Sequence, residues 1–135
     1  MPRNPGQTVP VEPHDAVAHQ QQAEEYLRAA QHCLLQGDLN AAAGTAVDAG
    51  INAADAVAGM NLGQRWKGPH EQAADFVAKA GDEGKEVARE LRRLLPLKTQ
   101  SHYEPAQVSA TKARGAVAAA ERVVSIARRV VARAR

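Results

Sequence analysis

Small residues at every fourth position in the middle of the chain constrain the fold more than any other feature. Ala42, Ala46, Gly50, Ala54 and Ala58 follow one another at this spacing, and residues four apart share one face of an α-helix. A face of such small side chains lets a neighbouring helix approach closely. The spacing therefore predicts a helix over residues 39–60 that packs tightly against its neighbours.

Composition favours the same fold class. Alanine accounts for 29 of the 135 residues and aromatic residues for only 3%, so small side chains must fill the core. Alanine has the highest helix propensity, which favours packed helices over a β-sandwich or barrel. Cys33 is the one cysteine, which excludes an intrachain disulfide; we interpret it as a buried, unreactive thiol. No apolar stretch reaches about 18 residues, so we expect no membrane span and a cytoplasmic protein.

Apolar periodicity and helix-ending residues predict an all-α antiparallel bundle of four to five helices, three of them long. Residues 1–13 contain four prolines, which predicts a disordered leader before a single domain over residues 14–135. Pro96 is expected to end or bend a helix, and residues 97–104 then form a tight turn or one short helical piece. The other predicted helices cover residues 14–36, 69–80, 83–95 and 105 or 106 to nearly 135.

Charge is divided unevenly along the chain. Residues 1–84 hold 5 Lys/Arg and 11 Asp/Glu, a net −6, whereas residues 85–135 hold 12 and 4, a net +8. Three interpretations stay open: a basic face for an acidic partner, complementarity between copies in an oligomer, or basic residues that solvate one long helix.

The polar segment after Pro96 is the best candidate for chemistry. If it is helical, Lys98 and His102 share a face. A lysine can stabilise the charge that develops on a phosphate, and a histidine can transfer a proton near neutral pH. Tyr103 would hold a phosphate oxygen or orient the base. The alternative is a polar loop that caps the last helix.

A second candidate lies in the loop that we predict over residues 61–68. Trp66 stands between Arg65 and Lys67. Its ring either covers the end of the bundle or offers a stacking surface for a base, with two cations for phosphate. We interpret His70, just downstream, as a first-turn residue without a ligand. No Glu-x-x-His pair, His-Glu-x-x-His motif or Walker loop occurs, so we expect neither a metal nor a cofactor.

The order of the helices and two sequence segments resemble the HEPN superfamily (higher eukaryotes and prokaryotes nucleotide-binding) across residues 14–133. The segments are the alanine-rich stretch 41–56 and Leu-Lys-Thr-Gln-Ser-His-Tyr-Glu at 97–104. The resemblance implies a small helical protein, commonly a homodimer, that acts on RNA or associates with nucleotides. Active relatives are metal-independent endoribonucleases, often toxins beside a nucleotidyltransferase-like antitoxin.

The resemblance also implies site residues. Active relatives carry an arginine, an adjacent polar residue and a histidine several residues on, and two copies make a composite cleft. Lys98 stands at the arginine position, Thr99 at the polar one, and His102 or Tyr103 at the far end. Lysine lacks the planar fork of arginine, and its spacing to His102 is shorter than usual.

One of two further arginines, Arg92 or Arg93, would help Lys98 to hold the phosphate. Three functions stay open. The first is an RNA-cleaving protein, active or degenerate, and the second is a module that binds nucleic acid or nucleotide without cutting it. The third is a helical subunit that assembles with another protein.

Overall fold

The computed structural model describes residues 6–103 and 107–134, without the side chains of residues 100–103. It is an all-α bundle, as predicted, but within the described residues four helices are long rather than three. A 3₁₀ turn at His70–Gln72 precedes the one short α-helix. In chain order the elements are β1 Thr8–Pro10, α1 Pro13–Gln36, α2 Leu39–Leu62, β2 Gln64–Trp66, α3 Ala73–Val77, α4 Gly81–Tyr103 and α5 Ala110–Arg133.

Helix α2 lies at the centre and packs against α1, α4 and α5. All five residues of its predicted small face are buried. At Gly50 an added Cβ atom would lie 2.6 Å from Cδ1 of Leu94 on α4. The prediction of a close helix contact at this glycine is therefore confirmed.

Helices α1 and α5 bury the faces that their spacing predicts. In α1 the steps of four, three and four between Ala23, Leu27, Ala30 and Leu34 predict one inward face; the first three are buried and Leu34 is half-buried. Gly37 ends the helix in the left-handed conformation with φ of 79°. Cys33 is half-buried against the core rather than fully buried. The buried residues of α5 include every predicted one: Val117, Ala120, Val124, Ala127 and Val131.

Of the two expectations for Pro96, that it ends the helix or bends it, the first is wrong, because α4 continues through this residue to Tyr103. A proline inside a helix costs about 3 kcal/mol. Leu91 and Leu94 before it are fully buried and Leu97 after it packs against the core, so burial on both sides offsets the cost. Of the two alternatives for residues 97–103, the helical one is confirmed.

Residues 8–13 differ from the disordered leader that their prolines suggested. Strand β1 pairs with β2 in antiparallel register, with Val9 opposite Arg65, so the predicted loop 61–68 also contains a strand. Val11 is buried in the space left by Gly59, where an added Cβ would lie 2.6 Å from its Cγ1. One buried valine thus attaches the segment to the bundle, and an edge strand tolerates Pro10.

The remaining helix bounds also shift. Helix α5 begins at Ala110 rather than at residue 105 or 106, because the Ser109 hydroxyl accepts a hydrogen bond from the backbone N–H of Lys112 at 3.1 Å and caps it. Helix α3 covers only Ala73–Val77 of the predicted 69–80. In the described part of the chain no helix is long and apolar enough to cross a membrane.

Several arginines of the basic C-terminal half pair with glutamates inside the molecule. Arg128 of α5 donates two hydrogen bonds to Glu24 of α1, at 2.7 and 2.8 Å. Arg122 donates to Glu90 of α4 at 2.9 Å, and Arg133 pairs with Glu83. Part of the charge asymmetry is therefore satisfied between helices of one chain, an outcome that none of the three interpretations included.

Candidate nucleic-acid interface

A groove of about 500 Å³ runs along the outer side of α4, beside the 3₁₀ turn. Helix α4 contributes four residues at positions i, i+3, i+4 and i+7, which lie on one helical face, and a fifth, Lys98, at i+6 beside that face. We call it the cationic groove; its lining residues are His70, Glu71, Arg92, Leu95, Pro96, Lys98 and Thr99. It exists because α4 remains helical beyond Pro96.

The centre of the groove is a contact between Lys98 and His70. The Nζ atom of Lys98 lies 3.0 Å from Nδ1 of His70. A lysine ammonium can only donate, so Nδ1 accepts and the proton of the neutral ring is on Nε2. Partial desolvation of the imidazole lowers the pKa of His70, and the charge of Lys98 lowers it further, whereas Asp48 and Glu71 raise it. The pair therefore consists of a cation and a neutral imidazole whose Nε2–H can donate a hydrogen bond to a ligand.

Arg92 forms one rim of the groove. Its guanidinium donates to the carboxylate of Asp75 on α3 at 3.0 Å. Both side chains are exposed, so the pair contributes little to stability but restrains the direction of the arginine. Thr99 lies on the same face of α4 as Arg92, seven residues and so about two helical turns further on. The structure thus brings three predicted site residues together: Arg92, Lys98 and Thr99.

Arg93 lies apart from these residues. Consecutive residues on a helix point about 100° apart, and Arg93 is 3.6 Å from Glu90. It lines a different groove between α4 and α5, together with Lys112 and Arg122. Of the two arginines that the sequence offered as alternatives, Arg92 lines the cationic groove with Lys98 and Arg93 does not.

His102 and Tyr103 belong to the last turn of α4. Their side chains lie outside the described part of the structure, so their roles stay predictions. The backbone places His102 one helical turn after Lys98, which is the arrangement that the sequence analysis assumed for a shared face.

A smaller cavity of about 220 Å³ lies beside the groove, and we call it the Asp55 cavity. His70 lines both spaces. The predicted trio Arg65, Trp66 and Lys67 lines the cavity, not the groove. Its other walls are apolar or aromatic side chains of α2, α3 and α4, among them Ile51, Ala54, Ala58, Phe76, Val77 and Leu91.

Trp66 takes the first of the two roles that the sequence left open, a ring that covers the end of the bundle, and its stacking on a base stays a prediction. Its indole N–H donates to the carbonyl oxygen of Pro69 at 2.9 Å, and its ring lies 5.6 Å from that of Phe76, centroid to centroid. Gly68 leaves space for the ring, since an added Cβ there would lie 2.5 Å from it. The ring is thus fixed at the end of the bundle and forms a wall of the cavity.

Asp55 on α2 is the unexpected residue of this cavity. Burial raises the pKa of its carboxyl from 3.8 to about 7, although the charge of Arg65 lowers it. Within the described residues Asp55 accepts no hydrogen bond. Asp55 was not among the predicted site residues, and His70 was interpreted as a first-turn residue without a ligand. An acidic residue within the small-residue helix was the available signal for Asp55, and only the fold places His70 against Lys98.

These observations define a helical module with a cationic groove at one end. A family model described as HEPN domain matches residues 16–130, and the protein belongs to this family, as its resemblance predicted. The family supports a nucleotide-binding or RNase-like module in general terms. No curated protein matches the chain. Among the described residues no group of three or more His, Cys, Asp or Glu side chains is placed to hold a metal ion.

Proposed function

We propose that the protein binds RNA in the cationic groove and cleaves it without a metal ion. The observation that carries this proposal is the contact of Lys98 with His70, at 3.0 Å, in a groove that Arg92 also lines. Two cations beside a neutral imidazole suit a phosphodiester, because the cations stabilise its charge and the imidazole exchanges a proton.

The reaction in this proposal is attack of a ribose 2′-hydroxyl on its own phosphate. The 2′-oxygen forms a bond to phosphorus, its proton passes to His102, and the bond to the 5′-oxygen breaks. The leaving 5′-oxygen takes the proton from Nε2 of His70 while the Lys98 ammonium passes a proton to Nδ1 of the same ring, so the imidazole stays neutral, and Arg92 binds the non-bridging oxygens. Tyr103 positions the phosphate or the base. The products are a 2′,3′-cyclic phosphate and a free 5′-hydroxyl.

The proposal includes a homodimer, because the family resemblance implies a composite cleft between two copies. It also places the protein in the cytoplasm, with a nucleotidyltransferase-like antitoxin as a candidate partner. Binding without cleavage is the second candidate. It is favoured by the presence of lysine at position 98, since lysine binds phosphate as a point charge without the bidentate geometry of arginine.

The first test measures binding of a single-stranded RNA by fluorescence anisotropy at several salt concentrations. We expect Lys98→Ala to weaken binding and to lower the slope of log K against log salt by about 1, because one phosphate contact is lost. Lys85→Ala is the matched control, since Lys85 is an exposed lysine more than three turns earlier on α4. Absence of RNA binding by the unmodified protein would overturn the proposal.

The second test incubates the RNA with the protein in the presence of EDTA. Cleavage with cyclic phosphate ends, lost in Lys98→Ala and His102→Ala and kept in Lys85→Ala, would support the enzyme. Binding without any cleavage across several RNAs would overturn the catalytic part and favour the second candidate.

A further inference from the structure

The Asp55 cavity and the cationic groove share the side chain of His70. A chain of nucleotides whose phosphate lies in the groove would therefore have a base within reach of the cavity. The volume of about 220 Å³ is below the range of about 300–1,000 Å³ that is usual for whole drug-sized ligands. It suits a single flat base rather than a complete nucleotide.

The carboxyl of Asp55 determines which base suits the cavity. Partial burial makes a carboxyl without a hydrogen bond costly. Asp55 is half-buried and accepts no hydrogen bond from the described residues, and it lines the cavity together with apolar side chains such as Ala54, Ala58 and Phe76. A ligand with two adjacent N–H donors would satisfy both carboxylate oxygens at once.

We propose that the Asp55 cavity binds a guanine base of the RNA, with N1–H and the exocyclic amino group donating to the two carboxylate oxygens. Of the four bases only guanine carries two adjacent donors on its pairing edge; adenine and cytosine pair one donor with an acceptor, and uracil has one donor between two acceptors. Trp66 and Phe76 provide aromatic walls, which stack on any base, so Asp55 provides the selection. The inference rests on the proposed RNA function and adds its base preference.

Charged groups around Asp55 fit the remaining parts of such a nucleotide. Arg65 and Lys67 reach the cavity from β2 and its following residue, and His70 reaches it from the 3₁₀ turn. The two cations suit phosphates on either side of the base. Bound guanine favours the carboxylate over the neutral acid, so binding should release a proton and become tighter as the pH rises through about 7.

Trp66 provides a direct probe, because it is the one tryptophan of the chain and lines the cavity. The experiment titrates the full chain with GMP, AMP, CMP and UMP and follows tryptophan fluorescence. All four carry the same phosphate, so differences between them report the base. We expect GMP to bind about tenfold tighter than the others, and Asp55→Asn to remove this preference because one acceptor becomes a donor. Equal binding of all four nucleotides would overturn the inference.

Asp82→Asn is the matched control, since Asp82 is exposed in the first turn of α4 and should keep the preference. Circular dichroism verifies that Asp55→Asn is folded, and the pH dependence of GMP binding tests the inference on the unmodified chain. GMP affinity that falls as the pH rises through about 7 would contradict it.

The outcome also separates the inference from the proposed function. Lys98→Ala should weaken RNA binding yet keep the preference for GMP, because Lys98 does not line the cavity. RNA binding without a preference for GMP would overturn the inference alone. A preference for GMP without RNA binding would overturn the proposed function and leave base recognition in the cavity standing.

Discussion

Helix α2 packs in two opposite ways within five residues. At Gly50 the helix has no spare volume, since even one added carbon would lie 2.6 Å from Leu94. At Asp55 it borders a cavity of about 220 Å³ and holds a half-buried carboxyl that accepts no hydrogen bond from the described residues. Leu91 of α4 contributes to both places, so the same pair of helices builds the tight contact and the cavity.

The difference in packing between Gly50 and Asp55 suggests that one part of α2 stabilises the fold and the other part binds a ligand. Close packing at Gly50 removes voids, which is what a stable core requires. The cavity at Asp55 lowers stability through lost contacts and a desolvated acid. A perturbed pKa in a cleft is a typical sign of a functional site, and the three predictions that follow test whether stability and binding divide along α2 in this way.

The largest expected effect is a gain of stability in Asp55→Asn. The pKa of Asp55 is about 7 in the folded protein against an ordinary value of 3.8. Between these values the folded state binds more protons than the unfolded state, so the stability of the unmodified protein falls as the pH rises. Three pH units at about 1.4 kcal/mol each give Asp55→Asn an advantage of at most about 4 kcal/mol above pH 7.

Urea unfolding at several pH values across this window measures the advantage. It should shrink towards zero as the pH falls to about 3.8, where Asp55 is protonated in both states. Asp82→Asn should show no comparable trend. A gain in stability that is the same at both ends of the window would contradict burial as the cause.

The next effect is a loss of stability in Gly50→Val, the counterpart at the tight contact. The added side chain overpacks the contact with Leu94, and overpacking costs about 1–3 kcal/mol. Gly115→Ala on α5 is the control, because no heavy atom lies within 4 Å of its added Cβ; it should gain about 1 kcal/mol from helix propensity. Chemical denaturation of both variants gives the comparison, and equal stability of Gly50→Val and the unmodified chain would contradict a tight contact.

The tight contact could be predicted from sequence, and the cavity could not. Spacing along a helix is a local property, so Ala46, Gly50 and Ala54 show their shared face in the sequence itself. The same holds for the inner faces of α1 and α5, which the structure confirms. An unfilled volume instead depends on side chains from α2, α3, α4 and the small sheet, and no local spacing encodes it.

The candidate site was predictable in part for the same reason. Lys98 and Thr99 stood out as polar residues beside apolar ones, and their place on α4 followed once the segment proved helical. His70 meets Lys98 across 28 residues of sequence, a contact that only the tertiary fold creates. The expectation that Pro96 ends its helix was wrong because burial of its neighbours outweighed a local preference, and Val11 anchors residues whose prolines suggested disorder.

The smallest effect sharpens the contrast between a buried carboxylate with partners and one without. Glu90 is buried, whereas Asp55 is half-buried, but Glu90 accepts a hydrogen bond from Arg122 at 2.9 Å, and Arg93 lies 3.6 Å away. The hydrogen bond from Arg122 lowers the pKa of Glu90 below 4.5, against the opposing effect of burial. The pair therefore stabilises the fold above pH 4.5, and this contribution is lost as the pH falls through the lowered pKa.

Glu90→Gln should accordingly cost about 1 kcal/mol near neutral pH, a modest amount because half of the Arg122 side chain is exposed. The cost should disappear in acid. At neutral and higher pH Glu90→Gln lowers the stability, whereas Asp55→Asn raises it. Unfolding curves of the two variants, measured in parallel across the same pH range, should diverge in opposite directions as the pH rises. If the stabilities of the two variants changed with pH in the same direction, the hydrogen bonds to each carboxyl would not determine how it affects stability. The proposed distinction between Glu90 and Asp55 would then be wrong.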